Sequence, residues 1–382
     1  MTTNDTPSPQ PNRDLHWIKG ELQSAIELEW STLPVYLSAL FSLEVQNYTA
    51  YNLIRSVAME EMVHMAIAAN ILAALGGSPQ IKTIKLSYPT HGLPGGAEPD
   101  IRVGLAQLSR RQLENFMIIE RPEFLLRQMD RDHTYPTIAV FYDGIRSAIR
   151  DNAPAVRAAV QRGDPANQVG VNIGITSISA TSNVDPVDQI LQGIEEIIEQ
   201  GEGASRGTLF TGAGSEDEES HYAKFAELYY GASFEDPRPP MELTRATERE
   251  FFKGHIIPWP QVINTLAVPT DGYARILALD PNAAQVEADL RTFDTVYSSL
   301  MAELDAVWNG PPTDAFKTLG EAVANMMKMR VLCCFNIMRH QLPAASVGQL
   351  AELYPDEFPY LDAYTDLHKP VYYGPRFLNG TP

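Results

Sequence analysis

The sequence predicts an all-α fold: a four-helix bundle with a long crossover loop and an additional C-terminal helical section. Two stretches near the N-terminus, 14–43 and 49–75, carry apolar residues at helical spacing with almost no Gly or Pro. A Pro- and Gly-rich stretch at 78–107 then separates this pair from further helical segments. The pattern Glu-x-x-His occurs twice, at Glu61/His64 and Glu218/His221, each time on an apolar helical face.

The first helix runs from Asp14 to about Leu43 and is interrupted only by Gly20 and Pro34, the latter a candidate kink. The second runs from about Thr49 to Leu75 and stops at Gly76-Gly77-Ser78-Pro79, glycine just past the end and proline beyond it. The two read as an antiparallel hairpin. SYPTHGLPGGAEPD marks the long loop, and helical pieces are expected at 109–119, 122–131 and 137–151. After a polar, partly β-branched stretch at 168–183, Asp185 caps a helix to Gln200 that ends in Gly201-Glu202-Gly203. A glycine-rich loop leads to Ser215, whose acidic following turn suits a helix start. SFEDPRPP reads as a boundary, followed by helices at 284–308 and 314–341 and an irregular tail from Leu342. The expected organisation is a disordered tail at 1–14, the bundle at 15–232, and a helical extension packed on it at 233–382.

With 382 residues and 44% hydrophobic content, the chain can bury a substantial core. Its net charge of −19 leaves no clustered Lys and Arg for a phosphate backbone, so no nucleic-acid partner is expected. MTTNDTPSPQPNRD lacks the basic and apolar regions of a signal peptide, and the longest near-apolar run, Met65 to Leu75, is too short to span a bilayer. Cys333 and Cys334 are adjacent in a helical stretch and poorly placed to pair. A soluble, cytoplasmic protein without a membrane partner is the expectation; a homo-oligomer is left open.

Chemistry enters through the buried faces. In the first helix Leu22, Ile26, Glu29, Leu33, Tyr36 and Leu40 are spaced 4, 3, 4, 3, 4, a seam that faces partner helices. In the second, Ile54, Val57, Glu61, His64, Ala68, Ile71 and Leu75 do the same, whereas Glu60 falls off the seam toward solvent or an outer contact. Inward carboxylates without partners cost several kcal/mol or become neutral, and a metal ion removes that cost. Glu218, His221, Phe225 and Leu228 repeat the pattern about 157 residues after the first. A dinuclear carboxylate site in such a bundle takes one Glu from each of two helices and a Glu-x-x-His from each of the other two. The remaining Glu should lie near the end of the helix before Glu218. At 100° per residue Glu202 lies nearest the apolar face, ahead of Glu195 and Glu199. Glu120 is the rival, although Arg121-Pro122 after it suggests a helix cap.

At these residues the chain resembles the ferritin-like superfamily: AIELEWSTLPVYLSAL matches a ferritin first helix, and EEMVH followed by GGSP a second. More narrowly, EEMVHMAIAANILAALGGSP, YPTHGLPGG, IERPE, EQGEG and ESHYAKFAELYYG are similar to the ferritin-like iminophenyl-pyruvate dimer synthase domain of violacein and rebeccamycin biosynthesis enzymes. The resemblance covers residues 15 to about 232, with FKTLGEAVANMMKMR and YYGPRF similar to the extension that follows it there. It implies oxidative coupling of amino-acid-derived imines. TIAVFYDGI departs from the pattern, lacking the acid of the Gly-Glu-Phe-Tyr that relatives often carry.

The function expected is that of a dimetal oxidoreductase holding two transition-metal ions, iron with manganese as the alternative, and acting with dioxygen on a small-molecule substrate. Glu29 and Glu202 would be terminal ligands, Glu61 and Glu218 bridging ones, His64 and His221 one imidazole per metal, and Tyr36 a catalytic residue lining the pocket or relaying an electron. The alternatives are a non-catalytic iron-storage or buffering protein and a scaffold that keeps the bundle without the metal.

Overall fold

The computed structural model describes residues 12–44, 48–126, 134–163, 168–169, 175–202, 219–238 and 241–380. Asp14 opens the first helix, α1 (Leu15–Phe41), by accepting from the amides of His16 and Trp17 at 3.0 and 3.1 Å. Pro34 lies inside α1. The Ser38 hydroxyl donates back to the Pro34 carbonyl at 2.7 Å. α2 (Tyr48–Ala74) packs along α1. By length and composition α2 could cross a membrane, but 78% of its most apolar window is buried inside the protein, as befits the core helix of a bundle.

Two further columns complete the bundle, and each is made of two helices. α3 (Arg110–Ile119) and α4 (Ile138–Asp151) run one after the other, antiparallel to α1. The Leu108 amide before α3 meets the Ser42 hydroxyl, Phe116 meets the ring of Tyr36, Tyr142 meets Glu29, and Asn152 reaches the Arg13 carbonyl. After α5 (Ala153–Arg162), the fourth column is formed by α6 (Pro186–Glu202) and α7 (His221–Tyr230), antiparallel to α2. Gly193 lies against Ile67 and Ile71, Gln200 against His64, and Lys224 against Glu60. The ring of contacts is α1–α2–α6–α4 at one end; at the other, α3 packs on α7 and α7 on α2.

The crossover from α2 to α3 carries a short ladder, β1 (Thr90–His91) against β2 (Arg102–Val103), and lies on the bundle through the Tyr88 hydroxyl, which donates to the Ser31 carbonyl at 2.6 Å. Gly95, at φ 74°, is glycine for two reasons: a Cβ there would sit 2.7 Å from the Phe141 ring, and the backbone is left-handed. The buried pair Arg121–Glu98, at 3.2 Å, ties the turn after α3 to this loop.

Several expectations shift. The helix expected at 122–131 is a single 3-10 turn, Glu123–Leu125, bounded by Pro122, and 127–133 lie outside the described residues. α5 was not foreseen: Asn152 closes α4 and Pro154 in the next first turn starts a new helix. Of the expected tail at 1–14, residues 1–11 lie outside the described residues.

Beyond α7, β3 (Ala232–Phe234) pairs with β4 (Phe252–Ile256), and after the one-turn α8 (Ala274–Leu277) comes a second antiparallel pair, α9 (Ala283–Asn309) and α10 (Ala315–Phe335). α9 is bonded to the bundle: Trp30 Nε1 donates to the Tyr297 hydroxyl and Trp308 Nε1 to Asn70 Oδ1, both at 2.9 Å. The expected irregular tail is instead anchored, with short helices and a buried end. Arg376 bonds Asp294 at 2.7 Å and Glu287 at 3.0 Å, and Tyr373 and Phe377 are buried.

Candidate metal centre

Five ionisable side chains converge midway along the bundle, at the level where the third and fourth columns break. Glu29 from α1, Glu61 and His64 from α2, Glu120 from the C-cap of α3 and His221, the first residue of α7, are each at most 4% exposed. Ligand atoms of Glu61, His64 and His221 lie within 4.8 Å of one another. Glu61 sits between the imidazoles, with Oε1 2.9 Å from His221 Nδ1 and 3.9 Å from His64 Nδ1. Glu29 Oε2 is 3.8 Å from His64 Nδ1, and Glu120 Oε2 is 3.4 Å from His221 Nδ1. The imidazole planes are nearly parallel, 23° apart with centroids 5.2 Å apart.

The outer nitrogens orient both rings. His221 Nε2 meets Glu60 Oε2 at 2.8 Å, and His64 Nε2 meets Gln200 Oε1 at 2.8 Å. With Nε2 engaged outward, each Nδ1 faces the carboxylates, which outweigh burial and hold both imidazoles toward the protonated form; a cation taking that proton's place would find both rings already oriented as ligands. The carboxylates are held as well. Tyr142 donates to Glu29 Oε1 at 2.5 Å, Tyr36 donates to Glu120 Oε1, and Thr32 donates to Glu61 Oε2 at 2.9 Å. The tyrosines cross over: the one on α1 holds the carboxylate of the α3–α4 column, and the one on α4 holds the carboxylate of α1.

Electrostatics show what the cluster lacks. Burial, reinforced by the Glu120 and Glu29 charges, pushes the Glu61 carboxyl up to about 8. Burial also raises the hydroxyls of Tyr36 and Tyr142, with Glu120 and Glu29 adding to it, so both stay protonated donors. Burial would raise Glu60 too, but His221 and the Lys224 ammonium, 2.8 Å away, outweigh it and hold Glu60 at about 2. His221 Nδ1 has no hydrogen bond of acceptable geometry despite the close carboxylate oxygens. Three buried carboxylates and the His64 imidazole border a void of about 10 Å³, the room of one small sphere, with His221 against Glu61 and Glu120, a donor set that fits hard or borderline cations. Glu29, Glu61, His64 and Glu120 line that void together with Ile138, Ala139, Ile197, Ile198 and Gly201.

Of the residues singled out in the sequence, Glu29, Glu61, His64, His221 and Tyr36 are brought together. Glu218 and the side chain of Glu202 lie outside the described residues. α7 is capped by Ser220 and not Ser215, with the Ser220 hydroxyl accepting from the Ala223 amide at 3.3 Å. Glu195 turns aside to Arg146, and Glu199 is half-buried with its carboxyl raised by burial. The described acid that completes the cluster is Glu120, weighed in the sequence mainly as a helix cap. It is the cap and also faces inward. The inner face of α6, Val187, Ile190, Ile194 and Ile197, continues to Gly201, where a Cβ would stand 3.4 Å from Glu120 Oε2. The Gly201 backbone thus lies in contact range of the carboxylate that reaches in from the third column. The missing acid in TIAVFYDGI is matched by Tyr142, which supplies a hydroxyl at the site. Tyr142 lies four residues beyond Ile138 and three before Ile145 on the same face, and that spacing would have found it.

No curated protein matches this sequence. Among solved structures, the chain is similar to a ferritin-like protein from Caulobacter vibrioides, with a TM-score of 0.55 and 18% identity over 82% of this chain and 95% of that one, a likeness of fold. A family model described as Ferritin-like matches residues 22–230, the stretch from α1 through α7 that carries every side chain of the cluster, and the chain belongs to the ferritin-like family.

Proposed function

We propose that this protein is a dimetal oxidoreductase that uses dioxygen to oxidise a small molecule. The reading is carried by one observation: two buried imidazoles turn their Nδ1 atoms onto three buried carboxylates while their Nε2 atoms are occupied outside. Glu29 and His64 would hold one ion, Glu120 and His221 the other, and Glu61, lying between the imidazoles, would be shared. Glu218 and Glu202 stay candidates for further ligands. Oxygen-rich donors with one imidazole per ion suit iron, with manganese next. Two such ions, when bound, supply the electrons for reducing dioxygen.

The chain's own residues prepare the site. Tyr36 and Tyr142 fix the outer carboxylates and are the nearest phenols for a proton or an electron; Tyr36, packed between Phe116 and Phe225, is the one we assign a catalytic part. Ile138, Ile197 and Ile198 exclude bulk water from the void. The motif resemblance favours oxidation or coupling of an amino-acid-derived imine or amine in secondary metabolism. The buried Cys333 and half-buried Cys334 are free thiols, which accords with a reducing cytoplasm.

Elemental analysis of the purified chain, with optical spectra taken anaerobically and after oxygen, tests the reading. About two iron or manganese ions per chain and an oxygen-dependent spectral change are expected. A chain that takes up neither metal, or holds iron that never responds to oxygen, removes the oxidoreductase.

A further inference from the structure

α10 is apolar on two sides. Toward α9 it buries Ala315, Ala322, Met329 and Cys333. On the opposite side Phe316, Val323, Met327, Val331 and Phe335 stand 72, 41, 57, 55 and 65% exposed. With Gly320 they follow the spacing 4, 3, 4, 4, 4, one continuous stripe along a 21-residue helix. A solvated helix face carries polar residues at such positions, and a contiguous apolar patch marks a contact surface. Nothing among the described residues covers it. Of the longer segments outside them, 1–11 reads MTTNDTPSPQP and 203–218 offers only Leu209 and Phe210 as large apolar residues.

We infer that the stripe pairs with the same stripe of a second copy of this chain, the two α10 helices running antiparallel. The pattern is close to its own reversal, Phe at each end and Val323–Met327 in the middle, so an antiparallel pairing about a two-fold axis matches apolar residues along the whole stripe. The charges agree. Glu321 and Lys328 are seven residues apart and therefore lie nearly one above the other on one flank of the stripe. A two-fold axis through the middle sets Glu321 of each copy against Lys328 of the other. The apolar surface continues onto the start of α2, where Tyr48 is 71% exposed beside Tyr51, which lies under the Arg330 guanidinium. A helix of this length is about 31 Å long and roughly 10 Å wide. Its footprint is smaller than the ~800 Å² per partner of a standard interface, so the pairing is reversible.

Sedimentation of the full chain over a concentration series tests this. The mass is expected to rise from 42.3 kDa toward twice that value. Met327→Glu and, separately, Val323→Glu hold it at the monomer while leaving the circular dichroism unchanged, because both side chains already face solvent. Glu321→Lys alone weakens association several-fold, and Glu321→Lys with Lys328→Glu restores it. A chain that stays monomeric throughout, or a dimer that survives both stripe substitutions, overturns the proposal. A double reversal no tighter than Glu321→Lys alone overturns the antiparallel pairing.

Discussion

The two halves of the candidate metal centre are built alike up to the imidazoles and differ beyond them. On the α1–α4 side, Glu29 accepts from Tyr142 and His64 donates to the neutral amide of Gln200; on the α3–α7 side, Glu120 accepts from Tyr36 and His221 donates to Glu60. Glu60 is a carboxylate, kept ionised against burial by His221 and Lys224. A charged acceptor draws on the Nε2–H more strongly than an amide and makes the opposite nitrogen a better donor. On the proposed reading, matched inner residues with unmatched outer ones would make two positions of unequal strength, the one at His221 the tighter.

The largest effect tests whether there is a centre to compare. Glu61→Ala with His64→Ala removes the residue both halves share and one imidazole, and metal content by mass spectrometry should fall to background. Unchanged content would sink the dimetal reading. Next comes the asymmetry itself. Glu60→Gln should weaken one of the two binding steps in a chelator titration by about 10- to 100-fold, whereas Gln200→Leu should weaken the other by less, about 5-fold for a neutral hydrogen bond of ~1 kcal/mol. Equal losses from the two variants would erase the difference between the halves.

Smaller effects probe where the halves agree. Tyr36→Phe and Tyr142→Phe each remove the donor to a buried carboxylate, and each should cost the metal-free protein about 1–3 kcal/mol in denaturant unfolding. A large gap between them would show that the crossed tyrosines are not equivalent. Smallest is Thr32→Val, which takes one donor from the shared Glu61 and should cost ~1 kcal/mol without favouring either metal position. In all of these variants, added metal should raise the melting temperature in step with the affinity that remains.

His221 shows itself in the sequence through the second Glu-x-x-His, whereas helical spacing was enough to find Glu29, Glu61 and His64, because each lies on an apolar face long enough to show its period. It was also enough for the hairpin of α1 and α2 and for α9, whose buried residues recur along its whole length. Periodicity weakens at helix ends, and much of the rest of the site is there. Glu120 is a C-cap, Gly201 lies in the last turn of α6, and α7 starts at His221 itself. Glu60 and Lys224 meet across two helices, which no single-helix pattern reports. The outward stripe of α10 escaped attention because a helix apolar on both sides reads in sequence as one that is buried.

The breaks in the third and fourth columns set what can vary. α1 and α2 are unbroken, so the spacing of Glu29, Glu61 and His64 is locked to the helical repeat. In the third column α3 ends at its cap Glu120 and α4 starts after Thr137; in the fourth α6 ends at Glu202 and α7 starts after Ser220, so both breaks lie at the depth of the carboxylate and imidazole cluster. A change in the length or composition of the connection across either break leaves the register of every seam intact. Evolution can therefore vary those stretches of sequence independently of the helices that set the spacing of the buried cluster.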